Sequence, residues 1–404
     1  MSTLKTTNIQ NASSATTNIA LDTSGNVTVG NNVTVGGGIT ASSGTVVMSS
    51  PFTMRNKIIN GAMVIDQRNA GASVTPTNGQ YLVDRWRFQA SQTSKFTCQQ
   101  NQGSVTPPSG FKNYLGFTSS SAYSVVAGDY FGVNQFVEGY NTADLDWGTS
   151  NAKSVTLSFY VRSSLTGTFG GAIRTGDGSN YSYPFTYAIS SANTWTYCTV
   201  SISGPTAGTW GSTTSAGLDV WFSLGTGSTF SGTANTWAAA NYVNATGSVN
   251  VVGTNGATFY ITGVQLERGT VATPFEYRNY QQELAMCQRY YCKTFDQGTA
   301  PANNTVTAGA LRGTARLINA ASAIEPAVSW RFPVSMRAAP SITLYSAATS
   351  GSTAGQWTND GNGTYGANAR ASFIGTDGVS IDNTGVILGA NQPWIIHAAA
   401  SIEL

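Results

Sequence analysis

Charge is scarce in this 404-residue chain. Lys and Arg number 20 and Asp and Glu 18, together 9% of residues, where ordinary soluble domains carry about 25%. A net charge of +2 with no window clustering Lys and Arg excludes the electrostatic footprint of a nucleic-acid binder. Histidine occurs once, at His397, so one chain cannot assemble a Ser-His-Asp triad, a Cys-His pair or a histidine metal site. Cysteine occurs four times, at Cys98, Cys198, Cys287 and Cys292. That is too sparse and uneven for a disulfide framework or zinc site, and the four are expected to be buried or indifferent thiols. No apolar run approaches the roughly 18 residues of a membrane-spanning helix, and the start, Met1-Ser-Thr-Leu-Lys5, lacks the charged and then apolar pattern of a signal peptide. Neither membrane insertion nor export by that route is expected, and no cofactor or metal.

What is present points one way. Hydrophobic residues make up 41% and aromatics 11%, too much apolar matter for a disordered chain. The polar remainder is 45 Gly with Ser, Thr and Asn, residues that shape turns and face solvent on strands without using charge. The expected class is all-β, in two or three domains for this length.

Four segments follow. Residues 1–52 are repetitive: Thr-Thr-Asn-Ile occurs at 6–9 and 16–19, and Asn-Val-Thr-Val-Gly at 26–30 and 32–36. Val27, Val29, Val33, Val35 and Ile39 alternate with polar residues, and Gly30 and Gly36-Gly37-Gly38 mark turns. One copy offers too little apolar surface to offset the entropy of ordering it, which predicts a shaft or attachment segment built with other copies. Residues 53–276 carry short alternating runs such as Val155–Val161, Trp195–Ile202, Leu218–Phe222 and Ala257–Ile261, bounded by turn residues, and suit a jelly-roll sandwich. Residues 277–293 read as a connecting helix. Tyr277, Tyr280, Leu284, Cys287 and Tyr291 step by 3 and 4, a seam for an oligomer axis or for the protein's own body. Residues 294–404 are again strand-patterned, with Pro326, Pro333, Pro340 and Pro393 at strand edges, and read as a terminal β-domain.

Catalytic signals are thin. His397 sits in an apolar run and reads as structural. Asp84, Glu138, Asp144, Asp146 and Asp219 could supply a carboxylate pair for glycosidic cleavage, but no spacing fixes two of them at working distance. Asp144-Leu-Asp146-Trp147 matches half a calcium loop without the Gly and closing Glu.

Several strings carry a resemblance. Asn56-Lys-Ile-Ile-Asn60-Gly61-Ala-Met63-Val-Ile-Asp66-Gln67-Arg68, followed by Tyr81-Leu-Val-Asp84-Arg85-Trp86, resembles the opening of the carbohydrate-binding-module-like jelly roll of bacteriophage tail fibre and tail-associated proteins. Gly263–Arg278 is similar to that module's closing strand, Glu283–Tyr291 to the helix after it, Phe332–Pro340 to a piece of the terminal domain, and Asn18–Val29 to the repetitive lead-in of phage fibres. Within the strings, Asp84-Arg85-Trp86 reads as an ion pair beside a core ring, and Gln265-Leu-Glu267 as an end-strand ladder.

The resemblance implies a virion protein of the phage tail: a homotrimeric tail fibre or tail-tip adhesin, held by a tail or baseplate protein at its amino end and binding host cell-surface glycan through its β-domains. A spacer without a receptor, or a polysaccharide depolymerase, are the alternatives. With so few charges, recognition is expected to rest on aromatic platforms and neutral polar groups. Phe159, Tyr197, Trp221 and Phe259, inside alternating strands, are assigned to the core. Loop-borne rings are the ligand candidates: Trp147, Tyr181, Tyr183, Trp210 and Trp237 in the body, Trp357 and Tyr365 in the terminal domain. Trp357 and Tyr365, with Asp360 and Asn362 between them, are favoured because that domain would lie farthest from the particle, with Trp147 and Trp210 next.

Overall fold

The structure, a computed structural model, describes residues 8–9, 19–21, 27–29, 54–176, 181–304, 307–317, 323–347, 354–359, 365–383, 387–388 and 393–404. It divides into two compact units, Met1–Ser49 and Ser50–Leu404. In the first, Asn8–Ile9, Ile19–Leu21 and Val27–Val29 pair antiparallel, with Asn8 opposite Ala20 and Ile19 opposite Val29. These strands fall on the repeated strings. Val33, Val35, Ile39 and Gly36–Gly38 lie outside the described residues.

The second unit contains an all-β jelly roll of ten strands: β1 (Arg87–Ala90), β2 (Phe96–Gln100), β3 (Leu115–Ser119), β4 (Tyr130–Glu138), β5 (Val155–Ser163), β6 (Gly167–Thr175), β7 (Ser182–Ile189), β8 (Thr196–Ile202), β9 (Ala216–Thr226) and β10 (Thr258–Arg268). They form two five-stranded antiparallel sheets, the first in the order β7-β6-β9-β4-β1 and the second β8-β5-β10-β3-β2. Alternation sends one face of each strand inward. Phe131 and Val133 on β4, Leu157 and Phe159 on β5, Val220 and Phe222 on β9, and Phe259 and Ile261 on β10 are fully buried between the sheets. The run Gln265–Glu267 belongs to a strand that is last in the roll by sequence but central in its sheet, between β5 and β3, so it is not an end-strand ladder.

The helix is shorter than the 3-and-4 spacing predicts. α1 spans Tyr280–Gln288, capped where the Asn279 side chain accepts from the Gln281 N–H at 3.0 Å. Tyr291–Lys293 instead forms β11. The alternative partner is the carboxy-terminal strand: Tyr291, Cys292 and Lys293 lie opposite Ser401, Ala400 and Ala399, so sheet pairing overrides local helical periodicity. The seam is therefore not free. Leu284 and Cys287 pack with Ile59, Ile65 and Tyr290 of the same chain, and Tyr291 is buried on β11, which removes all three as oligomer contacts. Tyr277 and Tyr280 remain exposed.

Beyond β11 come β12 (Leu311–Leu317), β13 (Ala323–Arg331), β14 (Ser341–Tyr345), β15 (Gln356–Asn359), β16 (Tyr365–Ser372), β17 (Gly378–Asn383) and β18 (Trp394–Ser401). They pair in the order β11-β18-β12-β13-β17-β16-β15, β15 pairs back to β18, and β14 also pairs with β18. Trp330, Phe332, Met336, Trp357, Ile381, Trp394 and Ile396 fill this second core.

A buried ionic seam joins the two β parts. The Glu403 carboxylate takes Arg68 Nη2 at 2.8 Å and is also bonded by Arg85, whose guanidinium lies 3.6 Å over the Tyr290 ring. Asp84 pairs with Arg68 at 3.7 Å, not with its chain neighbour Arg85, which has φ +71° and reaches Glu403 and the Phe136 carbonyl instead. Lys293 Nζ donates to the Gln67 carbonyl at 2.7 Å.

Candidate functional site

The outward face of the first sheet is the part of the roll least like a solvated surface. Strand register places Trp221 of β9 between Ala172 of β6 and Asn134 of β4, and Asp219 between Arg174 and Phe136. Being two residues apart, Asp219 and Trp221 share this outer face, while Val220 and Phe222 point into the core. Gly132, on the neighbouring strand, makes the floor possible: a Cβ there would lie 2.3 Å from Trp221 Nε1, so only glycine lets the indole lie across the sheet.

Around this floor stands a cleft of about 240 Å3 lined by Gln89, Tyr130, Arg174, Trp221, Phe230 and Asn241, with Val243 at its edge. Tyr130 meets Phe230 edge to face at 5.4 Å and Trp221 at 6.3 Å. Phe230 and Asn241 come from the 227–250 loop, which is anchored to the sheet where Ser182 Oγ donates to the Ala240 carbonyl at 2.7 Å. Arg174 crosses the cleft. Its Nε donates to Asp219 at 2.8 Å, its Nη1 donates to the Asn241 side-chain oxygen, and its guanidinium stands 5.1 Å from the Trp221 ring. Asp219 is fully buried and also accepts from Asn134 Nδ2 at 2.7 Å. Burial pushes its carboxyl above the usual range, against the opposing pull of Arg174 and Asn134.

Two buried polar atoms of this floor, Trp221 Nε1 and Asn134 Oδ1, have no hydrogen-bond partner among the described residues. Each unmade bond of this kind costs about 1–3 kcal/mol. The groups that line the cleft itself are the rings of Tyr130 and Phe230 and the polar side chains of Gln89, Arg174 and Asn241, which suit a ligand with apolar faces and hydroxyls.

The ligand candidates named from sequence are placed differently. Trp357 is fully buried in the terminal core, and its indole N–H donates to the Asp382 carbonyl at 3.2 Å, so it is a packing residue and not an exposed platform. Gly313 packs against that ring, which completes its enclosure. Asp360, Asn362 and the Tyr365 side chain lie outside the described residues. Trp147, Trp210 and Trp237 do meet, with centroids 4.7–5.6 Å apart and all three pairs edge to face, and Tyr181 stacks on Trp237. Their N–H groups donate to the carbonyls of Lys153, Ala207 and Ser203. Trp147 is buried, and the hollow beside it is about 60 Å3, so this cluster is the packing of loops at one end of the sandwich.

Of the rings assigned to the core, Phe159 and Phe259 lie between the sheets and Trp221 is also fully buried, on the outer face beneath the cleft, whereas Tyr197 is 48% exposed. An apolar run such as Leu218–Phe222 hides which face each residue takes. The signal that could have revealed the site was Asp219, a carboxylate two residues before a Trp in an otherwise apolar strand.

The acids are dispersed. Glu138 accepts from Arg289 at 2.6 and 2.8 Å and from Tyr290 Oη, and these bonds outweigh burial to hold it below the ordinary range. Asp144 pairs with Lys57 at 2.6 Å. His397 is buried, bonded to Thr294 Oγ1 at 2.8 Å and stacked on Phe295. The four cysteines are free and buried. Among the described residues no cluster of three His, Cys, Asp or Glu could hold a metal, and no helix is long and apolar enough to cross a membrane.

No family model and no curated protein matches the chain. Solved structures similar to it include the enzymatically active domain of bacteriophage CBA120 tailspike protein 4 (14% identity, 53% of this chain, TM-score 0.30), a match that spans 22% of the tailspike chain. A putative sugar binding protein from Bacteroides thetaiotaomicron matches at 13% identity over 53% of this chain and 100% of its own (TM-score 0.31). TmCBM61 in complex with β-1,4-galactotriose matches at 12% over 53% of this chain and 99% of its own (TM-score 0.27).

Proposed function

We propose that the jelly roll is a glycan-binding module whose ligand lies in the cleft over Trp221, and that the protein is the host-attachment part of a phage tail fibre or tail tip. The observation that carries the binding reading is the lining of the cleft: the rings of Tyr130, Phe230 and Trp221 beside the polar side chains of Gln89, Arg174 and Asn241. Aromatic faces meet the apolar side of a sugar ring, and amides and the Arg174 guanidinium meet its hydroxyls. The reading is of a binder rather than a depolymerase. Asp219 is the carboxylate at this floor, and it is committed to Arg174 and Asn134, with no second acid among the described residues that line the cleft.

The tail assignment rests on the fibre-like strings of the sequence and their order along the chain. In this reading the protein is a homotrimer in the virion, held by a tail or baseplate protein at its amino end.

The test is a microarray of bacterial lipopolysaccharide and capsule oligosaccharides probed with the full chain. The wild type is expected to bind a defined subset, and Tyr130→Ala and Asn241→Ala to weaken that binding about tenfold or more at unchanged melting temperature. A wild type that binds nothing on the array, or variants that both bind as well as wild type, overturns the cleft as the binding site.

A further inference from the structure

The second sheet carries an aromatic trough on its own outer face, on the opposite side of the sandwich from the cleft. Its base is a cross-strand pair, Tyr160 of β5 directly opposite Tyr197 of β8, with ring centroids 4.9 Å apart. Phe111 stands 5.5 Å from Tyr160 and touches both Phe275, at 5.0 Å, and Tyr277, at 5.4 Å. Together the five rings border a hollow of about 430 Å3, within the roughly 300–1,000 Å3 range of small-molecule sites.

Backbone irregularity builds the trough. The ladder between β5 and β10 slips between Thr262 and Gln265, a bulge that leaves Gly263 in the left-handed region at φ +62°. A Cβ at Gly263 would lie 2.7 Å from the Phe111 ring, so the bulge and its glycine let Phe111 settle against the sheet and buttress the other rings. Gly110, at φ +89°, does the same for Tyr277, whose Oη would be 2.5 Å from a Cβ there. Phe111 is buried, yet Tyr197 stays 48% and Tyr277 60% exposed. The rings are thus held in place from behind with open faces in front.

We propose that this trough is a second saccharide site, taking the apolar face of a neutral pyranose. No charged side chain lines it among the described residues. Its polar side-chain groups are hydroxyls: those of Tyr160, Tyr197 and Tyr277, with Ser109 and Ser158 beside them, make no side-chain hydrogen bond among the described residues, and that of Thr273 donates to the buried Glu267 carboxylate at 2.7 Å. Hydroxyls donate and accept, as sugar hydroxyls do, whereas a polyproline segment presents only carbonyl acceptors to an aromatic groove. That difference favours a saccharide over a proline-rich peptide. The absence of formal charge excludes acidic sugars and phosphate groups as the preferred ligands. The site shares no residue with the cleft, so the proposal stands independently of the cleft reading and would give one jelly roll two contacts with a polysaccharide surface.

The test uses the full chain labelled with 3-fluorotyrosine, with the Tyr197 and Tyr277 signals assigned from Tyr197→Phe and Tyr277→Phe. Methyl glycosides of glucose, galactose, mannose and N-acetylglucosamine are titrated into the millimolar range, in wild type and in a Tyr130→Ala, Asn241→Ala double variant that disables the cleft. At least one glycoside is expected to shift the Tyr197 and Tyr277 signals saturably and equally in both proteins, with Tyr197→Ala or Tyr277→Ala weakening that binding about fivefold or more. Loss of the response in the cleft variant would mean that the sugar binds only in the cleft, and would overturn the second site. No shift with any of the four glycosides overturns it as well, whatever the cleft does. So does a response to a ten-residue proline-rich peptide alone, or a change in solution mass in the Tyr197→Ala and Tyr277→Ala variants, which would mark a peptide groove or a subunit interface instead.

Discussion

Glu403→Gln removes one negative charge and little else, and the seam between the two β parts sets its cost. In the wild type that carboxylate serves two guanidiniums, Arg68 at 15% and Arg85 at 1% side-chain exposure. Arg85 keeps its bond to the Phe136 carbonyl and its place over Tyr290, neither of which cancels a full charge. Arg68 retains Asp84 at 3.7 Å, so the orphan is Arg85. Breaking a buried pair from one side costs about 3–5 kcal/mol, because the surviving charge stays out of water. The Ser50–Leu404 unit has 355 residues. With an unfolding entropy of roughly 2.1 cal/mol/K per residue, that cost lowers the melting temperature by about 4–7 °C. Differential scanning calorimetry of Glu403→Gln, Arg85→Met and the double variant separates the terms. The double variant should recover part of the loss, since it removes the uncompensated charge as well as its partner. A Glu403→Gln variant melting within about 1 °C of wild type, or a double variant no better than the single one, would refute the reasoning.

Burial also gives the seam a pH signature. It raises the Asp84 carboxyl to about 6 from 3.8, against the pull of Arg68 and the bonds from Gln67, so the native state holds this proton more tightly than the unfolded chain. The stability this group contributes is therefore present below about pH 4 and lost as pH rises through 6, by about 3 kcal/mol. Urea midpoints measured across that range should fall less steeply in Asp84→Asn than in wild type, and parallel profiles would contradict the assignment. For assembly, light scattering of the full chain is expected to give about three times 42.2 kDa, and a monomer at micromolar concentration would remove the homotrimer.

Much of the architecture was legible because it rests on period-2 alternation bounded by turn residues. The runs at Val155–Val161, Trp195–Ile202 and Ala257–Ile261 each fall on a strand of the roll. The helix was legible in existence and position but not in extent. A 3-and-4 spacing of aromatics cannot say whether Tyr291 continues the turn or pairs with Ser401, more than a hundred residues later in the chain. The site was legible in chemistry and not in place. Flanking Gly and Thr correctly mark Trp147 and Trp210 as loop residues, but loop rings can pack on one another, and these do. Trp357 fails for a related reason: short polar flanks surround a strand whose single large ring is what its core requires. Tyr197 fails in the opposite sense, since a ring inside an alternating strand is inward or outward by one residue of register. What separates Trp221 from Phe222 is the face of the pleat each takes once β9 is paired with β4 and β6, with Gly132 placed where a Cβ would strike the Trp221 indole. That information is in the pairing of β4 with β9, about ninety residues apart, and no local window of the sequence contains it.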